Sequence, residues 1–235
     1  MFPLKDENPI YSTPVLTVAL IVICSVIFML QAGAGAAGGQ EIVYKFGLIP
    51  SVLLGERHLP PHLEMAIPAL SLFTSMFLHG GWMHLIGNMW FLWIFGNNIE
   101  DILGHGRFIL FYLLAGLGAA AAQVLADPGS DIPMVGASGA ISGILGAYIL
   151  LFPNARILTF VWLGFFITTM RIRAVWFLGI WFAMQAVNAA ASGGGSGGGV
   201  AWWAHIGGFI AGIGLLFLLK PRRKTSAPRR KGPWG

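Results

Sequence analysis

The chain has 235 residues, of which 56% are hydrophobic and only 10% charged, with a mean hydropathy of +0.75. A soluble domain carries roughly 25% charged residues to cover its surface, so this composition excludes an ordinary water-soluble fold and points to one that faces lipid. The net charge of +5 is bunched along the chain, and the single cysteine, Cys24, excludes an intrachain disulfide and a thiolate metal cluster.

A membrane-spanning helix needs about 20 mostly apolar residues. Six runs of that kind occur, at 15–32, 82–99, 107–126, 136–152, 174–191 and 201–219. The first contains Cys24, read as a packing residue. It is too long for the apolar part of a signal peptide and has no basic stretch ahead of it, so no cleavable leader is expected. Residues 40–78 place Pro50, Pro60, Pro61 and Pro68 among short apolar patches. That pattern predicts a large loop, about 33–81, lying partly in the membrane interface. A seventh apolar run, 157–170, is short and stands between Arg156 and Arg171; it reads as an interfacial loop. The glycine-rich stretch 192–199 reads as a loop without structure of its own.

The fold class expected is an all-α, polytopic membrane helix bundle with six transmembrane helices. Residues 1–14 form its N-terminal segment, 15–219 the membrane domain and 220–235 a basic tail. Seven Lys and Arg residues fall in 220–231, and Arg107, Arg156, Arg171, Arg173 and Lys5 lie on the same side, against Lys45 and Arg57 opposite. Twelve against two predicts cytoplasmic termini by the positive-inside rule. Spans 2, 4 and 6 then enter the bilayer from outside.

Strongly polar residues inside spans are costly and mark functional candidates. They are His84 and Asn88 in span 2, Gln123 in span 3, Ser138 and Ser142 in span 4, Gln185 and Asn188 in span 5, and His205 in span 6. Taken singly, each has a bland reading: Ser138 between glycines as packing, His84 with Asn88 as an interhelical hydrogen-bond pair, His205 as a satisfied core histidine. Gln123 and Gln185 read as packing bonds. Depth distinguishes four of them. His84, Asn88, Ser138 and His205 all stand within about two turns of the outer end of their helices, on the order of 3–10 Å down at 1.5 Å per residue. One water-accessible pocket can therefore hold all four.

His84 and Asn88, four apart, share a helix face. Ser138 opens its span within Gly136-Ala137-Ser138-Gly139, where free N–H groups and the helix dipole favour the oxyanion that a serine attack creates. Gly139 with Gly143, and Gly208 with Gly212, form small-xxx-small pairs that let spans 4 and 6 approach closely. Such an approach brings a hydroxyl and an imidazole within reach.

At these residues the chain resembles the rhomboid family of intramembrane proteases, in its bacterial six-helix form. The likeness runs from about Phe73 to Leu219. It rests on the stretch with His79, His84 and Asn88, on Gly136-Ala137-Ser138-Gly139, and on Ala204-His205-Ile206-Gly207-Gly208 with Gly212. The resemblance implies a Ser–His dyad with Ser138 as nucleophile and His205 as base. It implies transition-state stabilisation by His84, Asn88 and the Ser138 N–H, and a structural role for Glu100 in holding the loop that follows it. No cofactor or metal is expected. The implied partners are transmembrane protein substrates and the lipid bilayer, with no nucleic acid, in a plasma membrane with the active site open to the outside; the oligomeric state is not set.

Two departures stand out. The family's Trp-Arg pair in the first outer loop is replaced by Ile67-Pro68-Ala69-Leu70. Ser142 occupies the place, one turn after the nucleophile, where some members stack an aromatic ring on the histidine, so His205 must be oriented in another way. Two rival functions follow: a rhomboid-like protein without catalysis that binds membrane helices, and a small transporter. The transporter would need charged or broken helices deep in the bundle, which the sequence lacks.

Overall fold

A computed structural model describes residues 1–192 and 200–221. Most of the glycine-rich stretch and most of the basic tail lie outside them. The architecture is mostly helical. Four helices are long and apolar enough to cross a membrane among the described residues: α1 (Val15–Gly33), α7 (His105–Ala126), α9 (Ala174–Ala191) and α10 (Trp202–Leu219). Between α1 and α7 come α2 (Gly35–Phe46), α3 (Pro50–Leu53), α4 (Ser71–Thr74), α5 (Trp82–Phe91) and α6 (Asn97–Leu103). A π-helical turn, Leu92–Gly96, joins α5 to α6 without a break. α8 (Ser138–Leu151) completes the set.

α8 lies at the centre. Every residue from Gly139 to Tyr148 is buried, the signature of a helix surrounded by protein on all sides. Its 14 residues span only about 21 Å, less than the roughly 30 Å of a bilayer's hydrocarbon core. A helix this short does not by itself reach from one surface to the other, so at least one of its ends lies inside the bundle.

Glycines set how closely its neighbours approach. A Cβ built on Gly208 would strike the Gly139 carbonyl, and one on Gly212 would strike the backbone of Gly143. Gly207 of α10 likewise lies against Ala122 and the Gly118 carbonyl of α7. α7, α8 and α10 thus meet backbone to backbone. α9 leans on α10 and on α8 at the side of this group.

The all-α expectation needs correction. The run read as an interfacial loop forms an antiparallel hairpin of β2 (Arg156–Leu163) and β3 (Phe166–Arg173), with β1 (Phe2–Asp6) added at the other edge of β2. Arg156 pairs with Arg173, Phe2 with Phe160 and Asp6 with Ile157, with an irregularity between Pro3 and Lys5. The two-residue turn uses Gly164 at φ +62°, a conformation favouring glycine. Ile157, Thr159 and Val161 are buried while Arg156 and Trp162 are exposed, the period of two that belongs to a strand. The large loop of 33–81 is also more structured than expected. It carries α2 to α4, and it grips the segment leading into α8: Leu48 and Met134 exchange backbone hydrogen bonds of 3.0 and 2.7 Å, Ser51 donates to Asp131 at 2.8 Å, and Arg57 pairs with Asp131.

Glu100 holds more than its following loop. The start of α1 has no side-chain cap, and the Glu100 carboxylate, fully buried, supplies one from a distance. It accepts the N–H groups of Leu16 (2.8 Å) and Thr17 (2.7 Å) and the Thr17 hydroxyl (2.7 Å), and it contacts His105 Nδ1 at 2.6 Å. Glu100→Gln replaces the carboxylate that receives these bonds with an amide and should lower stability by about 1–3 kcal/mol at neutral pH, measured by thermal unfolding in detergent.

Candidate active site

The segment ahead of α8 must turn sharply into the bundle. Gly136 does this at φ +125°, and its N–H is fixed by the Ser75 carbonyl at 2.8 Å. Its missing side chain also makes room, because a Cβ there would press on Nε2 and Cε1 of His84 at 2.7 and 2.8 Å. α8 then begins at Ser138 with no side chain capping its first turn, which leaves N–H groups free beside the hydroxyl.

Ser138 and His205 meet. His205 stands one turn into α10, and its Nε2 lies 2.9 Å from Ser138 Oγ. Its Nδ1 lies 2.8 Å from Oε1 of Gln185 on α9. The Trp181 ring lies 6.0 Å from the imidazole, centroid to centroid, tilted by 39°. Ser142 plays no part in orienting the histidine: its hydroxyl donates to the Ser138 carbonyl at 2.6 Å, within its own helix.

His84 and Asn88 face the same space from α5. His84 Nδ1 accepts the Gly80 N–H at 3.3 Å, which leaves the ring proton on Nε2, the nitrogen beside Gly136. Asn88 is buried, and its Nδ2 has no hydrogen-bond partner among the described residues. An unpaired buried donor is rare and expensive; here it lines a cavity of about 1000 Å³ shared by Ser138, His205, His84, Gln123 and Trp181. The backbone ahead of α5 is held by Gln31 of α1, whose amide makes two hydrogen bonds of 3.2 Å to the main chain of His79.

The packing glycines lie where the two helices touch. Gly139 and Gly143 on α8 face Gly208 and Gly212 on α10. Glu100 lies at the opposite end of the α5–α6 rod, away from this cavity. Gln123 lines the cavity, with Oε1 unpartnered among the described residues. Gln185 departs from its reading as a packing bond, since its acceptor touches the imidazole. A signal for it existed. Depth measured from the C-terminal end of span 5 puts Gln185 about two turns in, the same layer as His205.

Comparison with known proteins follows the geometry. Residues 68–222 match the family model of the Rhomboid domain. RHOMBOID-like protein 5 of Arabidopsis thaliana is 32% identical over 154 residues, 64% of this chain and 45% of that protein. Rhomboid protease GluP of Bacillus subtilis is 29% identical over 210 residues, 88% of this chain and 36% of that protein. Rhomboid protein 1, mitochondrial, of Saccharomyces cerevisiae is 32% identical over 150 residues, 61% and 40%. The chain thus spans about half or less of the length of these relatives.

Replacing Gly136 by Ala should both strain the backbone and displace His84. A loss of about 1–3 kcal/mol in thermal unfolding is expected, larger than for Ala at Gly87, where open space surrounds the site.

Proposed function

This chain belongs to the rhomboid family, and on that premise we propose that it is a serine endopeptidase cutting transmembrane proteins near the outer face of a membrane. One observation carries the reading: the 2.9 Å contact between Ser138 Oγ and His205 Nε2, inside a cavity within a multi-pass helical protein. In this reading six segments cross the bilayer, namely α1, the α5–α6 rod, α7, α8 together with the segment that leads into it, α9 and α10. The distribution of Lys and Arg supports cytoplasmic termini and, with them, a site open to the outside.

The chemistry follows from the geometry. Ser138 Oγ forms a bond to the substrate carbonyl carbon as its proton passes to His205 Nε2. The negative oxygen that results is met by donors already in place: the Ser138 N–H at the start of α8, Nε2–H of His84 and the unpaired Nδ2 of Asn88. Such donors cost no reorganisation at the moment of reaction. Collapse breaks the C–N bond, and the imidazolium gives its proton to the leaving amine. Water then enters the cavity and bonds the acyl carbon as it loses a proton to His205, and the imidazolium returns that proton to Ser138 Oγ as the bond from Oγ to the acyl carbon breaks. A substrate helix must unwind locally first, because its carbonyls are engaged in their own i→i−4 bonds.

A rhomboid-like protein that only binds membrane helices has no need of a hydroxyl and an imidazole in hydrogen-bond contact. Labelling separates the two readings. A fluorophosphonate should modify Ser138 of the purified protein, and Ser138→Ala and His205→Ala should each abolish both labelling and cleavage of a model membrane substrate while the protein stays folded. Robust cleavage by either variant would rule the dyad out. His84→Ala and Asn88→Ala should each lower kcat by about 10²–10³-fold, measured on the same substrate.

A further inference from the structure

We infer that Gln185 is the positioning residue of this site, holding His205 in the one tautomer and rotation in which Nε2 can act as base. The inference rests on the Ser138–His205 reading and adds a third member to it. A histidine hydrogen-bonded only to its serine can rotate or exchange its ring proton, and either change removes the lone pair from Ser138. Where a triad exists, the third group prevents this by accepting a hydrogen bond from Nδ1–H. A stacked aromatic ring one turn after the nucleophile would restrain rotation; this chain has Ser142 there, bonded within its own helix.

The geometry supplies the substitute. Gln185 Oε1 lies 2.8 Å from His205 Nδ1. The amide's orientation is fixed from its other end, since Nε2 faces the Trp181 carbonyl of the preceding turn at 3.4 Å, and a carbonyl can only accept. The oxygen therefore points at the imidazole, so Nδ1 must carry the proton, and the lone pair stands on Nε2, toward Ser138 Oγ. Gln185 is itself buried, so an unpaired amide oxygen there would be costly. During reaction the same oxygen still accepts Nδ1–H after Nε2 has gained its proton, and no proton need move along the Gln185 side. Ser138, His205 and Gln185 stand on α8, α10 and α9, so the site is complete only with all three helices in register.

The test uses the full chain in detergent, with two substitutions. Gln185→Met keeps the side-chain volume and removes the acceptor; Gln185→Glu keeps an acceptor and adds a charge. Cleavage of a model membrane substrate, fluorophosphonate labelling of Ser138 and thermal unfolding are followed for each. The Met variant should lose about 100-fold in kcat, the scale of a misplaced catalytic group, with KM and melting temperature near those of the wild type. The Glu variant should recover most of that loss, and the acid limb of its pH–rate profile should move to higher pH, because a carboxylate beside the ring favours the imidazolium. A purely packing role would leave the Met variant fully active, or impair both variants alike with the profile unmoved; either result overturns the inference. Should the Met variant fail to fold, the Glu profile alone decides, a shift supporting the inference and its absence overturning it. An inert wild type would remove the dyad reading and this inference with it, whereas an active wild type with an equally active Met variant would remove this inference alone.

Discussion

A serine hydroxyl and an imidazole have short reach, and helices whose axes are spaced by ordinary side chains lie 8–10 Å apart. The contact between Ser138 and His205 therefore depends on the backbone of α8 touching that of α10. Gly143 against Gly212 and Gly139 against Gly208 provide it, since each pair leaves no room for a Cβ. In a bilayer the hydrophobic effect does not press helices together, and close van der Waals packing takes over its role. The glycines that hold the bundle together are therefore the same ones that assemble the candidate site.

Polar groups in such a bundle must be satisfied or be held ready for something else. Most are satisfied. Glu100 caps α1, and Gln31 clamps the main chain at His79. At the far end of α8, Asp6 accepts the Tyr148 hydroxyl and the Asn98 amide, both at 2.8 Å, which ties the N-terminal strand to the helix that begins with Ser138. The buried atoms without a partner among the described residues include both His79 ring nitrogens, the Tyr112 hydroxyl, Gln123 Oε1, the Trp203 indole and Asn88 Nδ2, and of these Asn88 supplies the donor on the cavity beside Ser138. On the proposed reading that unpaired donor is kept for charge that appears only during reaction.

Much of the fold was legible because lipid-facing helices announce themselves by composition. The expected run at 174–191 coincides with α9, and that at 15–32 differs from α1 by one residue. The hairpin at 156–173 was missed because a short apolar run reads alike as strand, interfacial segment or buried helix; only the pairing of β2 with β3 and β1 resolves it. Gln185 was passed over for another reason. A lone glutamine in a span has an ordinary explanation as a packing bond, and which neighbour it meets depends on how α9 is rotated, a quantity that no local pattern in the sequence encodes.

By itself the sequence determined the membrane character, the runs that become helices, and how far along those runs His84, Asn88, Ser138 and His205 stand, because hydropathy and the fixed rise per residue are local properties. It also placed glycines at the intervals that permit close packing. Tertiary structure alone decided which polar groups touch. It placed Nε2 of His205 on Ser138 and Nδ1 on Gln185, left Ser142 bonded to its own helix, and made Glu100 a cap for a helix more than eighty residues away. Those pairings turn on helix rotation and interhelical distance, which arise only when the whole bundle has packed.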